Sequence, residues 1–471
     1  MKIAKATPYD GAPKINMPSV YGGCIGKEML CRIPVIGKRP IKLQVEGLAE
    51  GLYFENGVIK GTVSEECEFS VKITAENEIG SSSAEVLFKI HEDYMLQTPL
   101  MGFTSWNAFK HKVTQKDMEE TAELLLEEGI ADYGYCYVNI DSGWQKEYGG
   151  KYDAIMPNDK FPDMKAFCDN MHSKGFKCGI YSTPMLTAWG CPEGYESIPG
   201  CTRGEPDILW TCVMGGIGKE HLEANNVKQW EEWGFDYLKY DWKPSDPTNA
   251  DYMKKELLKS KREIAFCVTV DAREEYGLYW QRYCTSWRCN VDSIDKWHMV
   301  KQYLNGIKKW KEFVLPGHYY DLDMLEIGAM AWNDGVTRLT ENEAIFAYSL
   351  RAFFLSPIQL SCRLDKLSEF EKDLTCNEEI IKINQDSLSD YPELMYISDD
   401  KKVEVYGRTL ENGDKAIAIF NMAEEEITHI LDLEDYSNVR NLWTKTDMEA
   451  VRELACEVEP HCAIILRMGK W

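Results

Sequence analysis

From Gln97 to Tyr391 short apolar runs alternate with longer helix-patterned segments, and most of those runs end on a polar residue. That alternation admits few folds, because strands joined by crossover helices lie parallel with both faces covered. The apolar runs are MGFTSW, YCYVNID, KCGIYS, DYLKYD, IAFCVTV, SWRC, DLDMLEIG and IQLSC. Between them, Thr114 and Asp117 form a capping box ahead of Met118, Ala122, Leu125 and Leu126, and Gly129 stops that helix. Met164, Phe167, Cys168 and Met171 share one helical face that Gly175 closes. VKQWEEWG and Glu341 to Leu355 supply further helices. The count comes close to eight βα units over about 290 residues, near the ~250 typical of a (β/α)8 TIM barrel. A doubly wound open sheet is the alternative. Neither GxGxxG nor a P-loop follows the first strand, as a nucleotide-binding sheet of that kind would require.

Both flanks read as β. In residues 1–94, Phe69, Val71, Ile73 and Ala75 alternate with polar neighbours, and Val86 and Phe88 repeat the pattern after a turn at Asn77–Gly80. Glycines at 47, 51, 57 and 61 punctuate short strands, as in a small sandwich. In residues 392–471, VEVYGR and KAIAIFN flank the hairpin signal Asn412–Gly413. Ile427, Ile430, Ile464, Ile465 and Leu466 are expected to complete a C-terminal antiparallel β-sandwich. The expected division is therefore 1–94, 95–391 for the catalytic barrel, and 392–471.

A formal net charge of −24 repels phosphate backbones and anionic lipid, so neither nucleic acid nor membrane is an expected partner. Met1 to Asp10 has no apolar stretch of signal-peptide type, and no apolar run approaches the ~20 residues that span a bilayer. The 16 cysteines include no CxxC pair, which points away from a zinc or redox motif and toward buried thiols in a cytoplasmic protein. A bridge between Cys267 and Cys284 stays open. Oligomeric state is not legible.

In a barrel of this kind the reacting groups sit at the C-terminal ends of the strands. Those positions hold Trp106, Asp141, Tyr181, Lys239, Asp241, Arg288, Asp292, Asp321 and Asp323. One such aspartate is most simply a helix N-cap. Several strands ending in aspartate, with Lys, Arg and Trp beside them, suit glycoside hydrolysis better. Two carboxyl groups flank the anomeric carbon, aromatic rings take the apolar sugar face, and charged groups take the hydroxyls. That chemistry needs no metal or cofactor.

TPLMGFTSWNAF, YVNIDSGWQ, NDKFPDMKAFCDNMHSKGFKCGIYS, EEWGFDYLKYDW, WRCNVDSIDKW, GHYYDLDMLEIG, LTENEAIFAYSLRAFFLSPIQLS and EEIIKINQDSL closely resemble the α-galactosidases (melibiases) of glycoside hydrolase family 27, in order. Tyr21 to Ile90 resembles the immunoglobulin-like modules preceding some bacterial glycosidases. The resemblance implies a retaining exo-glycosidase that removes terminal α-galactosyl residues through a covalent glycosyl-enzyme. It implies Asp241 as nucleophile and Asp292 as acid/base. Trp106, Asp141, Ser142, Tyr181, Lys239, Arg288 and Asp323 then line the sugar pocket. Lys239, two residues before Asp241, is expected to favour the ionised nucleophile, and the charge of Asp241 to raise the pKa of Asp292.

Several positions depart from the family pattern. Ser142 stands where members carry the second aspartate of YVNIDD, which contacts the sugar's 4- and 6-hydroxyl end, so a pentopyranose such as a β-L-arabinopyranoside becomes an alternative substrate. Val268 and Asp271 differ in the loop that reads the 2-position, and Tyr320 and Leu322 replace the Asn and Pro of NDPD. Lys243 stands where many members have cysteine, leaving Cys191 without its usual bridge partner. The segment Thr187 to Gly218 is expected to wall the subsite beyond the cleaved bond. A non-catalytic carbohydrate-binding protein on a decayed barrel is the alternative of a different class.

Overall fold

The computed structural model describes residues 1–184, 206–209, 212–215, 221–242, 245–333, 335–433, 438–448 and 452–469. Its centre is an eight-stranded, all-parallel sheet. The strands are β1 (Met101–Thr104), β2 (Tyr137–Asn139), β3 (Lys177–Ser182), β4 (Tyr237–Asp241), β5 (Ala265–Thr269), β6 (Ser286–Arg288), β7 (Tyr319–Asp321) and β8 (Ile358–Leu360). They neighbour one another in chain order, and β8 returns beside β1. Beyond β7 a parallel bridge joins Leu325 to Leu360, with the Leu325 N–H donating to the Gln359 carbonyl at 2.8 Å. The ring so formed is TIM-barrel-like, and all its strand ends open on one face.

Local signals place the helices. The helix Gln115–Glu127 starts at a complete capping box: Thr114 accepts from the Asp117 N–H at 3.1 Å, and the Asp117 carboxylate accepts from the Thr114 N–H at 2.9 Å. Met118, Ala122 and Leu125 are buried on its inner face. The helix Met164–Ser173 buries Met164, Phe167, Cys168 and Met171, and Gly175 follows in the left-handed region at φ 82°. The helix from Glu341 ends at Phe353, two residues earlier than its pattern suggested, because Leu355 turns to φ 59°.

The seventh strand corrects the sequence reading. It is Tyr319–Asp321, and most of DLDMLEIG runs outside the ladder. Arg351, fully buried, is the cause: its Nη2 donates to the carbonyls of Leu322 (3.1 Å) and Met324 (2.9 Å) and its Nε to that of Asp323 (3.2 Å). Carbonyls turned toward a guanidinium are unavailable to a neighbouring strand.

At the N-terminal side a four-stranded and a three-stranded sheet enclose a core of their own, built on Ile59, Val71, Ile73, Ala75, Val86 and Phe88. At the C-terminal side, strands Val403–Thr409 and Lys415–Asn421 pair across the Asn412–Gly413 turn, where Gly413 takes φ 83°. Ile464, Ile465 and Leu466 are buried there, but Ile430 is 52% exposed. Alternation along Ile427–Asp432 turns Leu431 inward and its neighbour Ile430 out. This region shares the barrel's core: Phe420 packs edge-on to Phe346 at 5.1 Å, and Trp443 Nε1 donates to Ser349 Oγ at 2.9 Å.

Among the described residues no helix is long and apolar enough to cross a membrane. Cys267 and Cys284 are both buried free thiols, so the bridge left open by the sequence does not form. Cys191 and Lys243 lie outside the described residues.

Candidate active site

The strand ends bring the expected residues together. Asp241 is the last residue of β4, Arg288 of β6, and Tyr181 the penultimate residue of β3. Asp141 and Asp323 each lie two residues beyond a strand end, and Asp292 four beyond β6. Tyr181 faces Lys239 in the β3–β4 register, and Arg288 faces Asp321 in the β6–β7 register. These pairings put side chains of non-adjacent sequence on one rim.

Two ion-paired groups hold that rim. Lys239 Nζ lies 2.7 Å from Asp141 Oδ2, with both side chains largely buried. Arg288, 2% exposed, reaches two carboxylates: Nη1 to Asp323 Oδ1 at 2.8 Å and Nη2 to Asp292 Oδ1 at 2.9 Å. The Asp292 side chain is 84% exposed, so its only grip on the protein among the described contacts is that guanidinium and its own loop. Burial opposes the charge of Lys239 and Arg288. For Lys239 the carboxylates of Asp141 and Asp323 overcome it, for Arg288 those of Asp323 and Asp292, and both cations stay firmly protonated.

Asp241 differs from its neighbours. Among the described residues it has no ion pair, and its Oδ2 accepts the Tyr181 phenol at 2.8 Å. Burial pushes its carboxyl up to about 7, with the nearby charge of Asp292 adding to the rise and that of Lys239 opposing it. Lys239 favours the ionised form of Asp241, as expected, but burial outweighs it. The lysine's direct contact is with Asp141. Burial, then the charge of Asp241, also lifts Tyr181 well above the usual phenol range, so the phenol stays a donor. The charges of Asp141 and Asp292 also reach this phenol and add to the rise. Asp323 is held below the usual carboxylate range: burial alone would raise it, but Arg288, Lys239 and the N–H groups of Ser293 (2.8 Å) and Met324 (2.9 Å) prevail.

Trp106 opens the short helix after β1, half-buried, and Ser105 beside it accepts the Asp141 N–H at 2.9 Å. Ser142 is 1% exposed, and its N–H donates to Asp141 Oδ1 at 2.7 Å. Four carboxylates (Asp141, Asp241, Asp292, Asp323) thus face two cations, a set suited to hydroxyl-rich neutral ligands and to proton transfer. Most of Thr187 to Gly218 lies outside the described residues; within it the backbone of 206–209 pairs with 212–215 as a hairpin.

Sequence reasoning passed over the supports. Asp295, fully buried, accepts from Arg338 Nε (2.9 Å), the Arg338 N–H (2.9 Å) and Trp332 Nε1 (3.1 Å), tying the Asp292 loop to residues 332–338. Asp321, ahead of MLEIG, was visible, but its partner Gln359 gave no signal. At the opposite end of the barrel His172, Cys178 and Asp236 cluster closely enough to suggest a cation site. The Asp236 oxygens are already taken by His172 Nε2 (2.8 Å), the Cys178 N–H (2.8 Å) and Arg262 Nη2 (2.6 Å), so the group is a structural clamp.

Known proteins resemble this chain in sequence and fold. The family model described as Alpha galactosidase A matches residues 98–202 and 207–386, and the Alpha galactosidase C-terminal beta sandwich domain matches 400–468. The α-galactosidase of Oryza sativa subsp. japonica is 29% identical over 388 residues, covering 79% of this chain and 84% of that protein. α-Galactosidase A of Cellvibrio japonicus is 27% identical over 411 residues, covering 80% and 93%. Among solved structures, a candidate α-galactosidase of Bacteroides fragilis superposes with a TM-score of 0.87 at 25% identity, covering 100% of this chain and 99% of that one. A GH27 β-L-arabinopyranosidase of Geobacillus stearothermophilus has the same fold, with a TM-score of 0.69 at 22% identity over 79% and 96% of the two chains. With its barrel and C-terminal sandwich both matched, the chain belongs to the α-galactosidase (melibiase) family of glycoside hydrolases.

Proposed function

We propose that this protein hydrolyses terminal α-galactosyl residues with retention, Asp241 attacking the anomeric carbon and Asp292 serving as acid and then base. The observation that carries the reading is the contrast between the two acids. Asp241 is half-buried, ion-paired with no cation among the described residues and oriented by Tyr181, as an attacking carboxylate requires. Asp292 is open to solvent on the arm of Arg288, where it can protonate a leaving oxygen and later activate water. Asp292 gives up its proton as the Asp241 carboxylate becomes an ester, so the charge in the pocket never doubles. Lys239, Arg288, Asp141 and Asp323 take sugar hydroxyls, and Trp106 takes an apolar ring face.

A second substrate is favoured by one position. Ser142 supplies a hydroxyl and no charge, which suits a sugar lacking C6, such as a β-L-arabinopyranoside. A panel of nitrophenyl glycosides separates the two: faster cleavage of the arabinopyranoside overturns the galactosyl assignment and leaves the mechanism standing. NMR of the first-formed product tests retention, and an inverted anomer overturns the covalent scheme. Asp241→Asn is expected to cut kcat by several orders of magnitude; full activity in that variant removes Asp241 from the reaction.

The same reading divides the chain at 1–94, 95–391 and 392–471. The separate core of the N-terminal sheets supports an immunoglobulin-like sandwich there. The buried free thiols support a reducing, cytoplasmic setting.

A further inference from the structure

Below the rim, where barrels are usually filled by branched aliphatic side chains, this one carries a polar layer. Thr104 (β1), Asn139 (β2), Cys267 (β5), Asp321 (β7) and Gln359 (β8) are all 4% exposed or less. Thr104 Oγ1 donates to Gln359 Oε1 at 2.5 Å, and Asn139 Nδ2 donates to Thr104 Oγ1 at 3.2 Å and to Gln359 Oε1 at 3.4 Å. With its oxygen so occupied, Gln359 turns its Nε2 to Asp321 Oδ2, 3.3 Å away, and the Cys267 thiol lies 3.7 Å from the same oxygen. The layer therefore has a direction, and it ends on a carboxylate.

That carboxylate has one further contact among those described. Asp321 Oδ1 accepts the N–H of Asp323 at 2.8 Å. Asp323 sits at φ 73°, a left-handed backbone that strains a non-glycine residue. A buried carboxylate without an ion pair among the described residues is itself costly, and burial raises its pKa against the pull of Arg288. Packing alone would be served better by leucine. What the carboxylate supplies is an acceptor that fixes Asp323, whose own oxygens take Arg288 Nη1 and the Ser293 N–H. Those two contacts frame the loop carrying Asp292, and among the described residues Arg288 is what holds the Asp292 carboxylate.

We infer that Asp321 is a positioning residue for the acid/base carboxyl, acting through the left-handed Asp323 and the Arg288 clamp; the inference rests on Asp292 being the acid/base. It predicts a defect confined to steps that need a proton from Asp292. The test uses two glycosides of the preferred sugar: a 2,4-dinitrophenyl glycoside, which departs without protonation, and a methyl glycoside, which does not. Asp321→Asn cannot satisfy both neighbours, because its NH2 must oppose either the Gln359 amide or the Asp323 N–H. The double variant D321N/Q359E reverses that hydrogen bond and restores an acceptor for Asp323.

In Asp321→Asn, kcat/KM is expected to fall at least tenfold further on the methyl than on the dinitrophenyl glycoside, within the ~10²–10⁴ that acid catalysis supplies. The double variant is expected to recover most of that ratio. Because both substrates are read on one preparation, the ratio is independent of how much protein is folded. An unchanged ratio in Asp321→Asn, or a ratio the double variant fails to restore, overturns the inference while leaving the hydrolase reading intact. If Asp292→Asn itself spares the methyl glycoside, the acid/base assignment falls and this inference with it.

Discussion

The bond from Tyr181 to Asp241 makes a quantitative claim about pH. At 2.8 Å from Oδ2, the phenol donates to a carboxylate that burial has already pushed up to about 7. A hydrogen bond to a charged group is worth about 1.5–3 kcal/mol, and one pKa unit corresponds to about 1.36 kcal/mol. Tyr181→Phe removes the donor without changing the ring and is expected to raise Asp241 by about 1–2 units. On the proposed mechanism only the ionised Asp241 attacks, so kcat/KM on the dinitrophenyl glycoside should rise with pH until Asp241 is ionised. The wild-type acid limb should bend near pH 7. In Tyr181→Phe it should bend about 1–2 units higher, making the variant about 10- to 100-fold slower at pH 6 with the gap narrowing toward pH 9. Stopped assays from about pH 3 to 10 read both limbs. A wild-type limb near pH 4 refutes desolvation of the nucleophile, and coincident limbs refute a role for the phenol in ionising it.

The same shift has a stability consequence of definite sign. Asp241 has a folded pKa of about 7 against 3.8 unfolded, so its contribution is full below pH 4 and is lost as pH rises through 7. Asp241→Asn should therefore be more stable than wild type at pH 8, by about 1–2 kcal/mol after allowing for partial exposure, with the gap closing at pH 4; thermal melts at both pH values check it. Arg351→Met leaves Glu326 buried without its cation and should cost about 3–5 kcal/mol in guanidinium denaturation, whereas R351M/E326L should recover most of that. In Gly179→Ala the new methyl meets Asn139 Oδ1 at 2.1 Å, so a loss of about 1–3 kcal/mol is expected, and a neutral result would show that the polar layer has room to move.

How much of this could be read from the chain depends on whether the controlling interaction is local. The capping box at Thr114, the apolar face of Met164–Ser173 and the hairpin at Asn412–Gly413 are fixed within a few residues, and each appears as its pattern implies. So do the strand-end positions of Asp241, Arg288 and Tyr181, because a strand followed by a polar residue is itself a local signal. The early end of β7 was not legible, since Arg351, about thirty residues later, draws those carbonyls away. Ile430 was misplaced for a smaller reason: an isoleucine in a strand says nothing of which face it takes until the register is known.

Charge at the site shows the same division more sharply. Lys239 two residues before Asp241 implied a cation for the nucleophile, and spacing alone supports that inference. Closing the sheet brings Asp141 on β2's loop to Lys239 on β4, across β3, so the lysine's direct contact goes to Asp141 and only its through-space pull reaches Asp241. Asp241 is left to Tyr181, a neutral donor on the adjacent strand. The nucleophile's ionisation is thus set by which strands are neighbours, a property of barrel closure. Replacing Asp141 by asparagine should free Lys239 and lower the acid limb of kcat/KM below that of wild type. A limb that stays near pH 7 in Asp141→Asn would show that burial alone governs Asp241 and that Lys239 is only a ligand for sugar.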